Sequence, residues 1–260
     1  MRHGLLAILV LIATHASPLW PHSDLLLQIE ELNAEIALQP NNAELLIKRG
    51  DLNRRHQDYA AAGRDFEAAR QVNPALPMMD FYQGRLLLET GDWPAAVRIL
   101  SRYLEAHPEH AGAWLLRGEA RMKLHRPLPA AGDFGQAINL SERPSPELYV
   151  FQSLALVDSG SDHWDEARQI VEAALKQFPG EVSLLGLGTD IALAQNRPGE
   201  AERYLATLPE ALTRLPQWQR RAGSSECLAR NNAGNVDELE RCLDEVRALL
   251  STQATSLYSS

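Results

Sequence analysis

Apolar positions along the chain recur at helical spacing. Met78, Phe81, Tyr82, Leu86 and Leu87 fall on one helical face, Gly91 then interrupts, and the period resumes from Trp93 to Ala106 before Pro108 stops it. This pattern predicts two amphipathic helices joined by a tight turn. Leu25, Ile29, Leu32 and Ile36 form a single apolar stripe that ends at Pro40, which predicts one lone helix ahead of the pairs.

The helix pair repeats. Gly50, Gly84 and Gly118 recur at a 34-residue step, and so do Ala62, Ala96 and Ala130, then Phe66, Leu100 and Phe134, then Pro74 and Pro108. Each residue type has a mechanical reason. Glycine in the first helix and alanine in the second let the backbones approach closely. The bulky residue four after each alanine fills the space beside that contact, and the proline ends the second helix. Ala167, Val171, Ala174 and Pro179 resume the pattern three residues late, which predicts an insertion around Ser161, Asp162 and His163. Ala201, Leu205 and Leu208 follow in step.

With these residues the chain resembles the tetratricopeptide repeat family, most clearly from Ala43 to Pro144. The resemblance implies an all-α fold, a right-handed superhelical solenoid of antiparallel helix pairs. Repeats are expected at 43–76, 77–110 and 111–144, a fourth with the insertion at 145–181, and a degenerate fifth at 182–215. A capping helix over 17–42 and a capping pair over 216–251 would close the ends, with a polar tail at 252–260.

Residues 1–16 differ from the rest. Arg2 and His3 precede the apolar run Leu5 to Ala13, with small Ala16 after it, which reads as a secretory signal peptide cleaved there. A membrane anchor would need roughly 20 apolar residues. The product is expected to be exported, periplasmic or secreted, with no membrane span. In an oxidising compartment Cys227 and Cys242 could pair, since they lie equally far from a turn at Gly234 and Asn235. Helix axes are ordinarily about 8–10 Å apart while a bridge needs Cα atoms within about 7 Å, so a disulfide and two buried thiols both stay open.

Twenty-five basic against 34 acidic side chains give a net charge of −9, and no cationic stripe suits nucleic acid. His107 and His110 flank Pro108 without the further ligands a metal needs. Ser159 and Ser161 lack the preceding strand of a nucleophile elbow. No enzyme activity, metal or cofactor is expected.

The resemblance also implies a concave groove lined by the first helices. At the family's fifth, sixth and ninth positions stand Ile47, Lys48 and Asp51, then Phe81, Tyr82 and Arg85, then Leu115, Leu116 and Glu119, then Tyr149, Val150 and Ser153. These residues are mostly apolar, which disfavours a clamp for a peptide carboxylate and suits an apolar segment with Arg85 and Glu119 setting register. The expected function is a scaffold or assembly factor that binds a protein or peptide. A self-assembling homo-oligomeric module is the alternative.

Overall fold

The computed structural model describes residues 21–76 and 78–231. Those residues form helices joined by short turns, with no strand among them. The signal-peptide reading, Cys242 and the turn at Gly234 lie outside the described residues. Among the described residues no helix is long and apolar enough to cross a membrane. The chain divides into two compact units, one up to Met79 and one from Asp80 onward.

The first unit holds α1 (Pro21–Leu38), α2 (Ala43–Arg55) and α3 (Tyr59–Val72). Asn42 caps α2 by accepting from the backbone N–H groups of Glu44 and Leu45, and Asp58 caps α3 by accepting from Ala61. α1 packs on α2 and α2 on α3. The packing face of α1 (Leu25, Ile29, Leu32, Ile36) is half-buried, while Asp24, Glu31 and Glu35 stay exposed.

The second unit begins within α4 (Met79–Glu89) and continues through α5 (Trp93–Ala106), α6 (Ala111–Lys123), α7 (Pro127–Leu140) and α8 (Pro146–Asp158). A short 3-10 turn, Ser161–His163, leads to α9 (Trp164–Gln177). Then come α10 (Val182–Ala194), α11 (Pro198–Leu205), the single turn α12 (Glu210–Thr213) and α13 (Pro216–Asn231). From α5 to α9 each helix packs on its successor, α10 packs on both α8 and α9, and α13 packs on α10 and α11.

The small-against-large pairing is literal. A Cβ placed on Gly50 would sit 2.5 Å from the Phe66 ring, one on Gly84 would sit 2.6 Å from Leu100, and one on Gly118 would sit 2.7 Å from Phe134. Only glycine permits these approaches. In the second unit Phe134, Leu154, Val171, Leu184 and Ile191 belong to one continuous core, and Leu193, Tyr204, Trp218 and Leu228 to a second.

The turns between paired helices share a left-handed residue. Gly91 has φ of 87°, and Gln57 and His125, at the same place in their repeats, adopt 65° and 54° without being glycine. The extra residues of the fourth pair are also distributed differently from the sequence expectation. α8 starts 35 residues after α6, and α9 starts 18 after α8 where α7 starts 16 after α6. One extra residue therefore precedes α8 and two enlarge the turn at Ser161–His163. Ser153, eighth in α8, then occupies the place that Gly118 holds in α6, and it is fully buried.

Candidate interaction surface

The aromatic cluster on α4 is ordered by its neighbours. Phe81 lies 4.6 Å from the His110 ring, 5.6 Å from Tyr82 and 5.9 Å from Tyr103, centroid to centroid. The His110 ring is fixed at its other edge, where Nδ1 accepts from the Ala113 N–H at 3.0 Å and caps α6. His107 rests on Tyr103 at 4.7 Å. The two histidines thus act as packing and capping groups. Arg102 on α5 clasps Asp80 on α4 through two hydrogen bonds of 2.7 and 2.8 Å, which sets the angle at which α4 presents Phe81 and Tyr82.

Phe81, Tyr82 and Arg85 on α4 and Leu115 and Glu119 on α6 are all half-buried, so each keeps part of its surface accessible. Arg85 and Glu119 are each four residues after an apolar member of the strip, on the same helical face. Arg85 lies 3.9 Å from Glu89 on its own helix. Burial raises the Glu119 carboxyl above its ordinary range, opposed by the positive charges of Arg85 and Lys123 and reinforced by Glu89.

Other positions expected in the groove differ in exposure. Ile47, Leu116, Tyr149, Val150 and Ser153 are buried. Tyr149 points its hydroxyl at Gln177 Oε1, 3.4 Å away, and its ring stands 6.0 Å from Phe178. In the fourth repeat the shifted start of α8 moves the fifth, sixth and ninth positions to Val150, Phe151 and Leu154, of which Val150 and Leu154 are buried as well, so it is the packing and not the count that encloses this stretch. In the first unit Lys48 is exposed and Asp51 is paired with Arg54 at 2.8 Å. Cys227 is half-buried on α13, against the second core cluster.

Buried ion pairs are the polar feature that helical periodicity does not flag. Arg49 holds Asp65 and also donates to Asn33 at 2.8 Å. Arg117 holds Asp133 and donates to Ser101 at 3.1 Å. The same device therefore recurs two repeats later, and each arginine joins its own second helix to the one before it. Asp190 on α10 is wholly enclosed and accepts two hydrogen bonds from Arg221 on α13. The recurrence of Arg49 and Asp65 at Arg117 and Asp133 is the signal in the sequence that would have located two of these pairs.

Residues 82–143 and 160–220 match family models described as tetratricopeptide repeat. The chain carries tetratricopeptide repeats. Solved repeat proteins share the fold, which is of the helical-solenoid class. The C-terminal part of a TPR repeat-containing protein from Cytophaga hutchinsonii superposes with a TM-score of 0.67 at 15% identity, covering 90% of this chain and 94% of that one. YrrB, described as a TPR protein with an unusual peptide-binding site, gives 0.62 at 17% identity, covering 76% of this chain and 99% of its own. A curated relative is the cytochrome c-type biogenesis protein CycH of Pseudomonas aeruginosa, 33% identical over 115 residues. The match spans 42% of this chain and 28% of CycH.

Proposed function

We propose that this repeat protein is a non-catalytic scaffold that acts as an assembly factor in an exported compartment, binding a segment of another protein on the surface formed by α4 and α6. Tetratricopeptide repeats are in general protein-interaction modules. The similarity to a cytochrome c biogenesis protein supports an assembly role, and the signal-like residues 1–16 support export.

The observation that carries the reading is the partly open strip of Phe81, Tyr82 and Leu115 with Arg85 and Glu119 at its edge. Aromatic and arginine side chains that remain part-exposed beside a packed core are the types that dominate interface energy. The test is photo-crosslinking from an amino acid placed at Gln83, in the cell that makes the protein, followed by mass spectrometry. Tyr82→Ala and Arg85→Ala are expected to remove the crosslinked partner while the helical circular dichroism stays unchanged. An identical set of partners in wild type and both variants sinks the proposal.

A further inference from the structure

Glu119 is a half-buried carboxylate at the edge of the strip, with part of its side chain accessible. Its charged form is disfavoured mainly by burial, and Arg85 and Lys123 act on it only through space. Among the described residues no hydrogen bond and no ion pair reaches it. The contrast with comparable carboxylates is plain. Asp80 accepts two hydrogen bonds from Arg102, Asp133 is held by Arg117 and Arg121, and Asp190 is held by Arg221. Arg85, the cation facing Glu119 from α4, is drawn to Glu89 on its own helix.

A half-buried carboxylate that no side chain holds is free to accept from a ligand. A ligand that brings a charged donor to it gains affinity and selectivity from that contact. We propose that Glu119 recognises a lysine or arginine side chain of the bound segment, whose apolar neighbours rest on Phe81, Tyr82 and Leu115. This deepens, and depends on, the reading of the α4 and α6 surface as the binding site. The occupant is therefore an apolar peptide segment interrupted by a cation, because Leu115 lies one helical turn before Glu119 on α6 and Phe81 one turn before Arg85 on α4.

Selection from a display library of short randomised peptides, on the purified full chain and on Glu119→Gln, tests it. Wild type is expected to enrich peptides with lysine or arginine beside apolar residues, and Glu119→Gln to enrich apolar peptides without that cation. Replacing the selected lysine by norleucine, or the arginine by a neutral isostere, should weaken wild-type binding about tenfold or more and leave the variant's binding unchanged. With a peptide free of acids, wild-type affinity should fall as pH drops through the titration of Glu119, and the variant should show no such step. Equal wild-type affinity for the cationic and neutral peptides would overturn the role of Glu119 and leave the apolar surface standing. If wild type enriches no peptide, the surface reading fails as well. Glu119→Gln is also expected to unfold at the wild-type temperature or above it, and a large fall would mean that the carboxylate already has a structural partner.

Discussion

Arg117 donates two hydrogen bonds to Asp133, at 3.1 and 2.8 Å, joining α6 to α7 from 16 residues away along the chain. Arg121 lies 2.7 Å from the same carboxylate, whose side chain is only 2% exposed. The guanidinium of Arg117 also stacks over Trp114, 4.6 Å from the ring centroid. Such a pair contributes little compared with well-packed apolar residues, yet breaking it from one side strands buried charge.

Asp133→Ala is therefore expected to destabilise the fold by about 3 kcal/mol, the low end for a broken buried pair, because Arg121 retains partial access to water. The joint replacement Arg117→Met with Asp133→Leu should recover most of that loss. Urea unfolding of the single and double variants measures both.

Gly118→Ala should cost about 1–3 kcal/mol through overpacking, since the added methyl would meet the Phe134 ring at 2.7 Å. Phe134→Ala alone should cost about 3–5 kcal/mol by leaving a cavity. Because the new methyl would fill part of that cavity, the double variant should lose clearly less than the sum. Strict additivity in a thermal or urea double-mutant cycle would disprove the contact.

Ser153→Ala is expected to stabilise the protein by about 1 kcal/mol. The Ser153 hydroxyl is enclosed and makes no hydrogen bond, so its removal eliminates a desolvation cost and keeps the Cβ that packs in the core. A fall in the urea midpoint for this variant would contradict the assignment.

Tyr204 links pH to stability at the alkaline end. Burial, with the negative charge of Glu172 next, pushes its phenol up to about 12, and the hydroxyl lies 3.3 Å from Glu172 Oε1. An unfolded tyrosine ionises near ~10. The folded state keeps a proton that the unfolded state gives up, so this contribution is complete below about pH 10 and is lost as pH rises toward 12. The difference in stability between wild type and Tyr204→Phe should shrink across that range, and a constant difference would refute the coupling.

The positions of the helices were readable in the sequence, because apolar period, glycine and proline are local signals and the chain repeats them. Gly50, Gly84 and Gly118 with Phe66, Leu100 and Phe134 mark the helix contact in the sequence itself, since only a residue lacking Cβ fits there. The turns were half visible: Gly91 announces its left-handed conformation, whereas Gln57 and His125 reach it because the helices on either side impose it. Which side chains stay open was decided by the tertiary structure. Leu116, Tyr149, Val150 and Ser153 look like groove residues by counting, but neighbouring helices enclose them. The pairing of Arg221 with Asp190 likewise joins residues that no helical period brings together, whereas Arg117 with Asp133 leaves a trace in the sequence as the recurrence of Arg49 with Asp65. Helix formation depends on a few neighbouring residues, whereas burial and charge pairing depend on what the next helix places opposite, and so the set of side chains left accessible emerged only from the packed chain.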